Sequence, residues 1–182
     1  MKHRNITSFL FRQWVRLFPG PLNLRQLRSL WKEVQYFRTG ILYNPRMQPD
    51  RIIQTIAAWV KTRPEIQAAA LVGSHARGVA RPDSDIDLVL LVTAPETFRL
   101  DAGWLHEIDW NLIGTHPARW IDEDYDVLWS RRLWLEPEGD EVEFGFALPA
   151  WADARRINPG TRRVIADGCR SLHDPLGLLT VC

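Results

Sequence analysis

Sulfur is scarce in this chain, with two cysteines and two methionines among 182 residues. Cys169 and Cys182 are too few for a framework of disulfides and stand at no metal-ligand spacing, so their scarcity predicts a reducing compartment. Long apolar runs are also missing. None approaches the roughly 20 residues that a bilayer requires, which excludes a membrane-spanning helix. No internal repeat and no low-complexity tract occurs. What remains, 46% hydrophobic and 25% charged residues, is the composition of a soluble protein with one sizeable core, and the cytoplasm is its expected location.

Net charge is nearly absent too, at +1, but that figure conceals an asymmetry. Residues 1–50 hold nine Lys/Arg against two Asp/Glu, and residues 51–182 hold fourteen against twenty, so a +7 head precedes a −6 body. Such a head suits nucleic acid, an anionic membrane surface or an acidic partner, and composition does not choose among them. Leu10, Trp14, Leu17 and Phe18, then Leu24, Leu27, Trp31, Val34 and Phe37, recur at helical spacing on either side of Pro19-Gly20-Pro21. Two basic amphipathic helices are predicted there. We place a domain boundary near residue 48, with residues 1–48 as a basic helical extension and residues 49–182 as the main domain. Met47 is the only methionine after Met1. It is a candidate translation start, which makes the head a partner-binding extension, a transit-like segment or residues upstream of the true start.

In the body, Ile52, Ile53, Ile56, Ala57 and Val60 predict a helix opened by Asp50 and ended by Pro64. The period then changes to that of strands: residues 66–72, residues 85–92, a run around Leu112, residues 127–135 and residues 142–147. The last two are joined by Glu136-Pro137-Glu138-Gly139-Asp140, which reads as a hairpin loop. The tail predicts a helix, a short strand and a turn at Asp174-Pro175. The fold class is therefore α+β, a mixed sheet flanked by helices. Nine tryptophans are many, and packing rather than base stacking is the reading their bulk favours.

Chemistry concentrates in Gly73-Ser74-His75-Ala76-Arg77-Gly78 and, further on, Ser84-Asp85-Ile86-Asp87-Leu88. A strand that ends in Gly73-Ser74 and turns into a helix offers backbone N–H groups, a hydroxyl and a partial positive dipole, all suited to phosphate. Alternation along the next strand puts Asp85 and Asp87 on one face and Ile86, Leu88 and Leu90 on the other. Two carboxylates side by side repel, and a divalent cation is the economical way to hold both ionised. Oxygen donors of this kind suit Mg²⁺ or Mn²⁺.

Gly-Ser, ten residues, then Asp-x-Asp opening an apolar strand resembles the signature of the polymerase-beta-like nucleotidyltransferases, and most of all their minimal and aminoglycoside-modifying branch. The resemblance implies a nucleotidyltransferase fold over residues 50–148 and two divalent ions on Asp85 and Asp87. It also implies an NTP, ATP by family habit, held by Gly73, Ser74 and Ser84. Arg77 either pairs with the triphosphate or anchors the motif to an acid. His75 stands at a variable position, facing solvent or touching a phosphate, while Asp83 reads as a turn residue and His106, His116 and His173 as ordinary surface or structural residues. A third carboxylate is expected from a later strand. Residues 141–147 put Val142, Phe144 and Phe146 in the core and Glu141 and Glu143 on the opposite face. Glu143, further from the hairpin loop, is preferred over Glu141.

The implied activity is transfer of a nucleoside monophosphate to a hydroxyl of a small molecule or a protein. A second reading is an antitoxin-like regulatory subunit that binds a helical partner. The chain lacks the additional helical domain with which larger relatives hold acceptors, so a partner protein or a homodimer is expected to complete the site. Nucleic-acid binding through the basic head is the weakest reading.

Overall fold

The computed structural model describes residues 47–153, 155, 157–180 and 182. The two basic helices expected in the head lie outside the described residues. Helix α1, Met47–Val60, sets Ile52, Ile53, Ile56, Trp59 and Val60 on one buried stripe at helical spacing. It starts three residues before the expected Asp50, which sits in its first turn, where a carboxylate complements the helix dipole.

Strand β1, Ile66–Val72, is followed by the single helical turn α2, Gly73–Ala76, and by β2, Ile86–Val92. Both strands are buried almost throughout. Helix α3 is Pro95–Leu100, and two 3-10 turns, Ala102–His106 and Trp110–Ile113, lead to β3, His116–Asp124. Strands β4, Trp129–Glu136, and β5, Glu141–Ala147, form the expected hairpin. A 3-10 turn at Pro149–Ala152, helix α4, Pro159–Ala166, and strand β6, Cys169–His173, complete the order. The sheet runs β3-β4-β5-β2-β1-β6, with β2 and β5 parallel and all other neighbours antiparallel. It is a mixed sheet flanked by helices, as the sequence predicts. No helix among the described residues is long and apolar enough to cross a membrane.

Two expectations fail. The run around Leu112 is a 3-10 turn rather than a strand, and Leu112 is exposed. Strand β3 was not foreseen, because His-Pro-Ala-Arg-Trp-Ile-Asp-Glu-Asp shows no apolar alternation. The reason is its place at the sheet edge, where it has one neighbour, little burial, and room for Pro117. Its tie to the core is ionic. Arg131 on β4 is buried and donates from Nε and Nη2 to Asp122 at 2.7 and 2.8 Å, with Trp104, Trp120 and Trp129 around its guanidinium.

The two faces of the sheet are unequal. On one, Ile86, Leu88, Leu90, Val142, Phe144 and Phe146 meet α1 and Trp104. Trp59, Trp104, Trp110, Trp129 and Trp151 are all buried, so these tryptophans pack as expected. On the other face, Ala68, Ala70, Val72, Val89, Leu91 and Ala147 lie against Trp151, Ala152 and Leu179. Asp85 and Asp87 precede Val89 and Leu91 on this same face, where the apolar cover stops. Cys169 and Cys182 are joined in a disulfide, with Cα atoms 5.0 Å apart. Two cysteines rule out a framework but not one bond, so their number no longer argues for a reducing compartment.

Candidate active site

Register assembles the site. Val72 on β1 pairs with Asp87 on β2, Asp87 pairs with Glu143 on β5, and Glu143 pairs with Arg132 on β4. These four residues therefore form one row across the sheet on the face that carries Asp85 and Glu141. The turn that leaves β1 is Gly73, at φ +70°, and a Cβ there would come 3.0 Å from Asp87 Oδ2. Glycine supplies both the left-handed conformation and the clearance.

The turn is braced from the link between α4 and β6. The Gly73 N–H donates to the Gly168 carbonyl at 3.0 Å, which takes that amide out of any phosphate cradle, contrary to the expectation of open N–H groups there. Arg77 pairs with the carboxylate and carbonyl of Asp167, so of its two expected roles the structure displays the anchoring one. The Ser84 hydroxyl accepts the Arg81 N–H at 2.9 Å and closes the loop before β2. The His75 ring lies 3.4 Å from the Ser84 carbonyl. Asp85 falls one residue before the strand it was expected to open.

Four carboxylates share this face, and their crowding tells on the two aspartates. Burial, then Glu143 and Asp85, push the Asp87 carboxyl up to about 6, with Arg132 pulling the other way. Burial and Glu141 raise Asp85 as well, against the pull of Arg132. Glu143 receives the Ser130 hydroxyl on Oε1 at 2.6 Å and Arg132 Nη2 on Oε2 at 2.6 Å. Its side chain is 16% exposed, against 31% for Glu141, whose Oε2 is 3.7 Å from Arg132 Nη1. Arg132 Nη1 also donates to Asp85 Oδ2 at 3.0 Å. Burial works against the Arg132 charge, but Glu143, Asp85, Glu123 and Glu141 outweigh it and hold the guanidinium above its ordinary range.

This donor set suits a hard divalent cation, since it is all oxygen and its crowding already raises two proton affinities. As the side chains stand, no three acidic, histidine or cysteine groups among the described residues converge on one point. The space between Asp85 and Glu143 is held by Arg132.

The raised Asp87 value has a stability consequence. Its folded value lies above the ordinary 3.8, so the fold binds this proton more tightly than the unfolded chain does. Asp87 therefore costs nothing below pH 3.8 and weighs fully against the metal-free fold above about pH 6. In EDTA, Asp87→Asn is expected to gain stability over the parent as pH rises from 4 to 7. The gain should reach at most about 3 kcal/mol, at about 1.4 kcal/mol per pKa unit. Urea unfolding at both ends of that range measures it, and a difference that does not grow with pH refutes the coupling.

Sequence reasoning named Asp85, Asp87, Glu141 and Glu143 as candidates and did not name Ser130 or Arg132, which the structure places against them. A signal for Arg132 existed. The alternation that puts Leu133 and Leu135 in the core puts Arg132 on the opposite face, the one Glu141 and Glu143 share, and leaves the register to the structure.

The family model of a nucleotidyltransferase domain matches residues 53–132, from within α1 to Arg132, and takes in Gly73, Ser74, Asp85 and Asp87. No curated protein sequence matches the chain. Among solved structures, 26 chains match. One is the crystal structure of the Cid1 poly(U) polymerase, at 15% identity and a TM-score of 0.39, with 66% of this chain and 33% of that one covered. The chain thus spans about a third of that polymerase chain.

Proposed function

We propose that this chain, whose residues 53–132 match the model of a nucleotidyltransferase domain, moves a nucleoside monophosphate from an NTP, with ATP the expected donor, to a hydroxyl of a small molecule or a protein. In this reading Asp85, Asp87 and Glu143 hold Mg²⁺ or Mn²⁺. The observation that carries it is the register of β2 on β5, which sets Glu143 beside Asp87 on the face that also bears Asp85. Three carboxylates from two parallel neighbours, partly buried and repelling one another, are costly to keep ionised without a cation, and the single Arg132 offsets only part of that charge.

The bound ions would polarise the α-phosphate, align the acceptor hydroxyl and neutralise the departing pyrophosphate. The protein's part is to fix positions in advance. Strand pairing holds Asp87 and Glu143 in register, Ser130 fixes one Glu143 oxygen, and Gly73 lets the loop approach Asp87 closely. Ser74 is assigned to the triphosphate, and Gly73, whose amide is taken by Gly168, serves it through the turn and the clearance it provides. Arg77 and Ser84 serve it indirectly, through the loop contacts described above. No side chain is assigned to form a covalent intermediate. Without metal, the triphosphate would face Asp85, Asp87, Glu141 and Glu143 unscreened, so NTP binding in EDTA should be weak.

The test uses ATP labelled at the α- or the γ-phosphate, offered with hydroxylated small molecules and with protein acceptors. The α-label should enter an acceptor in Mg²⁺, the γ-label should leave as pyrophosphate, and EDTA should stop both. Transfer of the γ-label, or indifference to EDTA, would refute the reading.

A further inference from the structure

Adjacent arginines on β4 point to opposite faces of the sheet. Arg131 goes into the core with Asp122, and Arg132 goes among the site carboxylates. Strand alternation forces that split, and the pairing of β4 with β5 puts Arg132 directly opposite Glu143. Its guanidinium bridges β2 and β5 by donating to Asp85 Oδ2 at 3.0 Å and to Glu143 Oε2 at 2.6 Å, with Glu141 Oε2 at 3.7 Å. The Arg132 side chain is 25% exposed, so the pairs are partly desolvated and stronger than surface ion pairs.

The oxygens Arg132 engages belong to the first and third residues of the assigned metal-binding set. A carboxylate oxygen can serve two partners, but a guanidinium lying between Asp85 and Glu143 fills the gap that a shared divalent cation would need, and its charge repels that cation. We propose that Arg132 is a positioning residue that holds Asp85 and Glu143 ready in the metal-free protein and is exchanged for the cation, so that it sets the metal affinity of the site. This inference rests on the metal-binding role assigned above. Glu143 keeps its orientation during the exchange, because Ser130 holds its other oxygen. The arginine is not sealed in, since its side chain is 25% exposed and that of Asp85, its partner, 38%.

The inference separates contact from mere charge. Arg132→Gln removes both the bridge and the charge, whereas Arg132→Lys keeps the charge but cannot reproduce a planar fork reaching two carboxylates. Mn²⁺ titration of the full chain without nucleotide, followed by the loss of the free-ion EPR signal, reads affinity directly. Arg132→Gln should bind Mn²⁺ about tenfold or more tightly than the parent, with Arg132→Lys between them. In EDTA, Arg132→Gln should melt below the parent, and saturating Mg²⁺ should raise its Tm by more than it raises the parent's. In the unaltered protein, the Arg132 Nε–H NMR signal should shift on addition of Mg²⁺, a readout that survives even if Arg132→Gln fails to fold.

Equal Mn²⁺ affinity in parent, Lys and Gln forms, or an Arg132 signal unmoved at Mg²⁺ saturation, overturns the exchange while leaving the metal site standing. A Lys form equal to the parent beside a tighter Gln form reduces Arg132 to a distant charge and also overturns it. Absence of Mn²⁺ binding in every folded form removes the metal site itself, and the exchange with it.

Discussion

Asp85→Asn and Asp87→Asn are each expected to abolish nucleotide transfer in a chain that still folds. Both residues lie on the face of β2 opposite Ile86, Leu88 and Leu90, so neither supports the main core. In the proposed site the charge each loses is the one that would hold the cation, and asparagine keeps the volume while giving up that charge. For Asp87 the two effects run in opposite directions. Removing a carboxylate whose proton affinity is raised by burial and by Glu143 should stabilise the metal-free fold at neutral pH while it removes activity. Transfer assays paired with circular dichroism check both, and undiminished transfer by either folded variant would refute the catalytic assignment.

Glu143→Gln should cut transfer by about two to three orders of magnitude, with Glu141→Gln costing much less. The distinction lies in how firmly each is held. Glu143 stands in register with Asp87 and takes bonds from Ser130 and Arg132, while Glu141 is more exposed and sits beside the hairpin loop. A glutamate is one methylene longer than the aspartate more usual at this place in the resembled family, and the Ser130 hydroxyl steadies that extra length at Oε1. Steady-state transfer rates for the two variants, with Mn²⁺ affinity measured alongside, decide the ranking. The reverse order moves the role to Glu141, and full activity in both places the third carboxylate elsewhere.

The parts of the site that were legible in the sequence are those fixed by local rules. A run such as Ile86-Asp-Leu-Val-Leu-Leu-Val declares a strand by its burial, and period-two alternation then puts Asp85 and Asp87 together whatever the rest of the chain does. The same rule put Glu141 and Glu143 on one face of β5. The failures came where local pattern carries no information. The edge strand β3 is held by pairing to β4 and by the Arg131–Asp122 ion pair rather than by apolar periodicity, and Leu112 is an apolar residue in an exposed turn.

Sequence by itself determined the succession α1, β1, α2, β2, β4, β5, α4 and β6, without α3 and β3 and with a strand misplaced at Leu112, together with the sharing of a face by Asp85 and Asp87 and the glycine where β1 turns. Each of these follows from interactions among residues a few positions apart. Only the tertiary structure decided that β5 lies beside β2 with Glu143 level with Asp87, that Gly168 takes the Gly73 amide and Asp167 takes Arg77, and that Arg132 stands among the carboxylates. Those contacts join residues as many as 95 positions apart, as between Gly73 and Gly168. Strand pairing between distant segments depends on which faces the whole core can bury, a property of the assembled sheet that no local stretch of sequence contains.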